Sequence, residues 1–439
     1  MTSAVPAGFR ALPLPLAQLS LAAVLKCGQS FRWSIFPLVT PDQAYQDAGI
    51  PTHEYRLCLR DRVVCLRQSP DALFYRSVFP PVGSGDSDAR EAETLAWIRD
   101  YFQLDIDLVK LYQDWSTSDP VFHRLRDRFE GIRMLRQDPF ENLISFICSS
   151  NNNIGRITKM VKSLCQHYSP PLLSLPPPSG SALPEESYHP FPPPSALAAP
   201  EVSGQLRALG FGYRADFIQR TAAMLVEARG TLRSPKTCME PSEEWLLTLR
   251  QMDTAAARTE LLKFVGVGRK VADCILLMSL DKREVIPVDT HVHQIAVKHY
   301  GLRGTAKAAN MNPRLYDEVS TKLAAVWGQY AGWAHSVLFT SDLKSFASYG
   351  LPSTPPTPAM TPDRSSAVSD DSPSLATPLT ETPLSTTKRK RTRQKATVEV
   401  PMKVFDEVAD ALPEIRLEEP GYSLAERVKR RRRGTGSAV

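Results

Sequence analysis

The sequence predicts an α+β protein: an N-terminal antiparallel β-sheet domain, a mainly helical domain after it, and a disordered C-terminal tail. Three observations carry this reading. Residues His53 to Arg67, HEYRLCLRDRVVCLR, alternate apolar Tyr55, Leu57 and Leu59 with polar neighbours, then turn near Arg60 to Arg62 into a second β-rich run. From Ala89 onward the apolar spacing becomes helical. From Pro352 to about Leu384 the composition shifts to Ser, Thr and Pro, with too few apolar residues to offset the entropy of ordering.

The elements follow in order. A Gly/Ser/Asp cluster at Gly83 to Asp88 separates the strands from the helices. In QDPFENLISFICSS, Phe140, Leu143, Ile144 and Ile147 fall at i, i+3, i+4 and i+7. A second amphipathic helix runs through Ile154, Ile157, Val161 and Leu164, with Asn151 to Asn153 as the corner between them. Residues 169–200 are crowded with Pro and Ser and are expected to form an exposed insertion loop without packed elements. Helices resume near Ser203 and run to about Phe346. The expected boundaries are 1–136 for the sheet domain, 137–347 for the helical domain and 348–439 for the tail.

The 439 residues carry a net charge of +6, which suits a polyanionic partner but equally describes a solvated basic surface. The seven cysteines form an odd set with no CxxC spacing and no secretory leader, so reduced thiols in an intracellular compartment are expected. No apolar run reaches the length of a membrane span, and no membrane association is expected. The tail holds two basic runs, Lys388 to Lys395 and Lys429 to Arg433, that suit a nuclear import receptor or nonspecific phosphate contact; a solvated charge run is the bland alternative. The first forty residues lack Asp and Glu but carry only Arg10, Lys26 and Arg32, a weak signal for a mitochondrial form.

The stretch Leu261 to Ala296 is the most informative. A helix ends at Phe264, a two-glycine hairpin turns at Gly266 and Gly268, and a new helix starts about Arg269. Such glycines let backbone amides approach a phosphate, and the new helix adds partial positive charge there. Chain reversal alone would also explain them. Lys270 sits in the first turn of that helix, where the dipole and partial burial are expected to lower its pKa and make the amine a nucleophile. Cys274 and Met278, four and eight residues on, share its helix face and could line a pocket or simply fill the core. Asp289 precedes a helix as an expected N-cap, and a carboxylate there could also stabilise positive charge developing on a sugar.

Taken together, GVGRKVADC and PVDTHVHQIA resemble the helix-hairpin-helix, Gly/Pro-rich, Asp signature of DNA glycosylases. CGQSFRW (27–33), FICSSNNNIGRIT (146–158), LGFGYRA (209–215) and YAGWAHSVLF (330–339) further resemble eukaryotic 8-oxoguanine DNA glycosylase, in family order from about residue 15 to 345. The resemblance implies a base-excision repair enzyme that flips 8-oxoguanine paired with cytosine out of double-stranded DNA, cleaves its glycosidic bond and nicks the strand, acting as a monomer in the nucleus. It implies Lys270 and Asp289 as the catalytic pair and Gly28 as the residue whose carbonyl reads the N7 hydrogen of the lesion. Cys274 and Phe339 would sandwich the base. Asn151, Arg156 and Arg214 would hold the orphaned cytosine, Tyr213 would wedge the stack and His291 would contact a phosphate.

Two positions depart from the pattern. Val265 stands where the family usually has Pro. His335 replaces a glutamine that bonds the base's edge; a neutral imidazole could serve, and is expected to lose its acceptor below about pH 6.5. No cofactor is expected: no cysteine follows Cys274, which argues against an iron-sulfur cluster. Hairpin carbonyls are a candidate site for a monovalent or divalent cation. The rival readings are a helix-hairpin-helix glycosylase for another damaged base, such as the endonuclease III type, and a noncatalytic DNA-binding scaffold.

Overall fold

A computed structural model describes residues 4–38, 49–81, 87–178, 184–235, 237–302 and 311–351. The expectations for the tail and its basic runs lie outside the described residues, as does most of the cluster at 83–88. Strands β1 (Arg10–Pro13), β2 (Ser34–Pro37), β3 (His53–Cys58), β4 (Val63–Gln68) and β5 (Ala72–Val78) form one antiparallel sheet in the order β1-β5-β4-β3-β2. Tyr55 pairs with Leu66 and Leu57 with Val64, so the alternation read in the sequence becomes one apolar face. That face packs on Leu21 and Val24 of the short helix α1 (Leu21–Val24) and on Trp33, Ile98, Tyr101 and Phe102, with the last three supplied by helix α2 (Ser87–Tyr101) and the residue after it.

The opposite face is apolar as well, and this corrects the reading of residues 169–200. Cys58, Val63, Cys65 and Phe74 point away from the first core and are buried against Phe9 and Tyr188. The segment 169–200 contains an antiparallel pair, β6 (Leu173–Leu175) with β7 (Glu186–Tyr188), and a short helix, Pro194–Ala198, with Leu197 fully buried. Leu172, Leu173, Leu175 and Tyr188 cover that second face, and Arg56 Nη1 donates to the carbonyl of Pro176 at 2.8 Å. A sheet with two apolar faces must bury both, and that requirement overrides the Pro and Ser composition of the segment.

Of the helices, α3 (Leu108–Ser118) and α4 (Pro120–Leu125) pack against α14 (Pro313–Trp327) and α15 (Ala331–Asp342) around Phe122, Val319 and Trp333. A separate core gathers α5 (Pro139–Ile147), α6 (Ile154–Tyr168), α7 (Pro194–Ala198), α8 (Glu201–Ala208), α9 (Arg214–Arg229), α10 (Pro241–Thr248), α11 (Thr254–Leu261) and α12 (Arg269–Ser279). Helix α13 (Thr290–His299) lies between α12 and α14 in sequence and packs on α15. Local chemistry sets the starts. Asp138 accepts from Glu141 N at 2.9 Å with Pro139 at the first helical position, and Asn153 accepts from Arg156 N at 3.0 Å.

The core extends past the expected boundary at 347. Arg128 donates to the carbonyls of Phe346, Ala347 and Tyr349, and the Tyr349 hydroxyl lies 2.9 Å from Ser20 Oγ.

Candidate active site

The hairpin between α11 and α12 uses its two glycines differently. Gly266 has φ +82°, and a Cβ there would meet the Phe217 ring at 2.6 Å, so the turn itself requires glycine. A Cβ on Gly268 would meet nothing within 4 Å, and no side chain caps the helix that follows. Gly266 serves the fold, then, while Gly268 leaves room for something outside the chain to approach the amides of α12.

Lys270, Cys274 and Met278 line one cavity with Gly28, Asp289, His335 and Phe339, as the helix-face argument requires. Asp289 caps α13: its Oδ1 accepts from His291 N at 2.9 Å and Val292 N at 3.0 Å. Phe146, which the sequence reading left without a role, also lines the cavity, with Lys270 Nζ 5.1 Å from its ring centre. That contact favours the cation. No local pattern signals it, because Phe146 reads as one more apolar residue of α5.

The expected lowering of the Lys270 pKa is not what the surroundings produce. Burial does push the ammonium toward the neutral amine, but Cys274 and Asp289 outweigh it and hold the pKa above the ordinary lysine value. Burial pushes the Cys274 thiol up to about 11, with Lys270 beside it opposing. The sequence argument placed Cys274 on the same helix face but weighed only helix dipole and burial against Lys270, and the approach of Asp289 is not written along the chain.

His335 is 7% exposed, and neither ring nitrogen has a hydrogen-bond partner among the described residues. Burial, with Lys270 adding to it and Asp289 opposing, lowers its pKa to about 4. The acid limb expected near pH 6.5 is therefore displaced downward. Buried polar atoms left unpaired are costly, and the imidazole that carries two of them lines this cavity. A larger hollow of about 290 Å³ lies beside the sheet, against about 60 Å³ here, but its charges are satisfied internally by Arg32 with Glu141, Arg60 with Glu243 and Arg136 with Asp281.

Gly28 has φ +89°, and a Cβ on it would meet Ile154 Cδ1 at 2.9 Å. The need for glycine thus comes first from the backbone conformation and from α6 behind it, and only then from the pocket. The remaining candidates gather at the corner between α5 and α6. Asn151 itself has a positive φ of 49°. Arg214 donates from Nη2 to the carbonyls of Ser150 and Asn151, and its guanidinium lies 4.6 Å from the Tyr213 ring centre. Tyr213, 48% exposed, donates to the Ser150 carbonyl at 3.0 Å, and Arg156 donates to that of Gly210 at 3.1 Å. His291 stands apart from this corner, with its ring 6.1 Å from Phe339 and Nδ1 3.7 Å from Asp342 Oδ2.

Comparison with known proteins gives the family. Residues 11–143 match the family model of the 8-oxoguanine DNA glycosylase N-terminal domain, and residues 144–319 match that of the HhH-GPD superfamily of base excision DNA repair proteins. The chain is 34% identical to the N-glycosylase/DNA lyase of Saccharomyces cerevisiae, over 76% of this chain and 86% of the yeast protein. It is 34% identical to the N-glycosylase/DNA lyase OGG1 of Arabidopsis thaliana, over 76% and 80% of the two chains. Among solved structures it is similar to the Clostridium acetobutylicum 8-oxoguanine glycosylase/lyase in complex with double-stranded DNA containing cytosine opposite 8-oxoguanine. There the identity is 25%, the TM-score 0.55, and the coverage 74% of this chain and 91% of that one. The hairpin, the lysine and aspartate on one cavity and these matches together make the chain a DNA-binding enzyme of the N-glycosylase/DNA lyase family of 8-oxoguanine DNA glycosylases.

Proposed function

We propose that the chain removes 8-oxoguanine paired with cytosine from double-stranded DNA and then nicks the strand, with Lys270 as nucleophile and Asp289 as its electrostatic partner. The observation that carries this reading is the convergence of both residues with Gly28 and the unpartnered His335 on one buried cavity. Lys270 starts as an ammonium. A base that seals the cavity deepens the burial that pushes the amine toward its neutral form. Nζ then attacks C1′ of the deoxyribose, and the C1′–N9 electron pair leaves with the base, which takes up a proton. Asp289 stabilises the positive charge on the sugar as that bond breaks. Opening of the sugar ring gives a Schiff base on Lys270. Loss of a C2′ proton then expels the 3′ phosphate by β-elimination. No cofactor takes part in this scheme.

In the same reading the Gly28 carbonyl accepts the N7 hydrogen that the lesion has and guanine lacks, and Cys274 and Phe339 face the two sides of the ring. Met278 extends the apolar wall, and His335 bonds the base's edge as a neutral imidazole. Tyr213 fills the space vacated by the flipped base, which offsets part of an extrusion cost of a few kcal/mol. Asn151, Arg156 and Arg214 hold the cytosine, for which Arg214 must turn from the Ser150 and Asn151 carbonyls. Gly268 and His291 meet the phosphates, and Gly266 serves them by setting the turn that presents the hairpin amides. The enzyme acts as a monomer, in keeping with large exposed apolar residues that are scattered among the described residues. It enters the nucleus through an import receptor reading the tail's basic runs.

Borohydride trapping on duplexes carrying 8-oxoguanine, thymine glycol or no lesion, each with varied opposite base, tests chemistry and substrate together. Adduct is expected on 8-oxoguanine opposite cytosine, and Lys270→Gln is expected to bind the duplex without forming any. Trapping by Lys270→Gln at the wild-type level would refute the nucleophile assignment, and preferential trapping on thymine glycol would refute the substrate.

A further inference from the structure

Lys270 and Asp289 lie on different elements, one in the first turn of α12 and the other at the cap of α13. Catalysis requires the two to keep a fixed separation, and the structure contains a buried connection between their supports. The Tyr316 hydroxyl, on α14, donates to Asp273 Oδ2 at 2.6 Å and accepts from Val288 N at 3.1 Å. Asp273 is three residues beyond Lys270 on α12, and Val288 immediately precedes Asp289. One hydroxyl therefore ties the lysine-bearing helix to the peptide that carries the aspartate.

We infer that Tyr316 is a positioning residue for the glycosylase reaction, holding Asp289 in register with Lys270 through Asp273 and Val288. The anchor is stiff. Asp273 is 1% exposed and also accepts from Arg258 Nε at 2.7 Å and Arg269 Nε at 3.3 Å, so its carboxylate is fixed by three donors from three helices. The Arg269 guanidinium lies over the Tyr316 ring at 4.9 Å, which fixes the ring as well. Tyr316 is itself buried, and its hydroxyl has its one hydrogen and one lone pair engaged. Removing that oxygen leaves the Val288 amide unpaired in the interior and Asp273 Oδ2 with the longer Arg269 bond alone, and the 285–289 segment loses this side-chain hydrogen bond to α14. A displacement of about 1 Å at a reacting group can cost roughly a hundredfold in rate, so a modest loosening is measurable.

The inference rests on the assignment of Lys270 and Asp289 above, and a double-mutant cycle separates the two. Single-turnover excision of 8-oxoguanine opposite cytosine is measured for wild type, Tyr316→Phe, Asp289→Asn and the double variant, each well below its melting temperature. Binding of an abasic-site duplex is measured in parallel. Tyr316→Phe is expected to lower the excision rate roughly tenfold or more with abasic-site affinity unchanged, and to have little further effect once Asp289→Asn is present. A merely structural tyrosine would slow both backgrounds by the same factor, and that outcome, or an undiminished Tyr316→Phe rate, overturns the inference. A slow Asp289→Asn beside an unimpaired Tyr316→Phe overturns the positioning role alone, whereas a wild-type rate for Asp289→Asn overturns the assignment beneath it. Should Tyr316→Phe fail to fold, Asp273→Asn carries the same cycle, since it keeps volume and an acceptor for the hydroxyl while removing the charge that fixes it; independent losses in that cycle overturn the inference equally.

Discussion

His335 gives the sharpest quantitative expectation. Its pKa is about 4 in the folded chain against an ordinary 6.5, because burial disfavours the imidazolium and Lys270 adds to the effect. Between these values the unfolded chain binds a proton that the native chain does not, so acid draws the equilibrium toward unfolding. The stability in question is fully present above about pH 6.5 and is lost as pH falls toward 4. At about 1.4 kcal/mol per pH unit, the gap corresponds to about 3 kcal/mol. That is a large share of a typical folding free energy of about 5 to 15 kcal/mol. His335→Gln removes the titrating group and keeps a donor and an acceptor. Urea unfolding of both proteins at pH 7, 5.5 and 4.5 isolates the term as their difference, since all other acid-sensitive groups are shared. The wild type is expected to lose about 2 kcal/mol more than the variant across that range, the remainder of the gap lying below pH 4.5. Parallel acid dependence of the two proteins would refute the reasoning. The excision profile gives a second check: any limb caused by His335 belongs near pH 4, and a wild-type limb at pH 6.5 that vanishes in His335→Gln would show a far more solvated ring.

Three further perturbations test the site and its frame. Gly28→Ala is expected to lower the melting temperature, because φ +89° costs a side chain about 1 to 3 kcal/mol and Ile154 stands in the way, and to cut excision of 8-oxoguanine far more than affinity for an abasic-site duplex; equal losses on both substrates would leave Gly28 as a turn residue alone. In the hairpin, Gly266→Ala should destabilise the fold against the Phe217 ring, whereas Gly268→Ala should fold normally and bind DNA more weakly, and a reversed pattern in melting and binding experiments would contradict the division of labour. A chain ending at Leu351 should keep glycosylase activity and lose nuclear enrichment, while one ending at Phe346 should also lose stability with the Arg128 and Ser20 contacts to Tyr349; insolubility of the chain ending at Leu351 would show that the tail packs on the core.

Much of this protein is legible without coordinates because short-range rules write it. The apolar alternation around Tyr55 and Leu57, the corner at Asn151 to Asn153, the helix-starting side chain of Asp289, and the four-residue spacing of Lys270, Cys274 and Met278 depend on neighbours along the chain, and each has its expected place in the structure. The family motifs add the identity of the enzyme, since they record which residues meet.

Other features depend on groups distant in sequence, and there the local reading runs out or errs. The Pro-rich segment 169–200 packs because the outer face of a sheet more than a hundred residues earlier needs cover. The Lys270 pKa rises because Cys274 on its own helix and Asp289, from the next helix, together outweigh its burial, and His335 stays neutral because burial removes its water. Tyr316 reads as one apolar position of an amphipathic helix until its hydroxyl is seen between Asp273 and Val288. The sequence by itself determined the inner face of the sheet, the helices on either side of the hairpin, the cap at Asp289 and the chemistry-bearing residue types. Only the tertiary structure decided charge states, burial and the ties between elements, because electrostatic and desolvation energies are set by distance in space and not by distance along the chain.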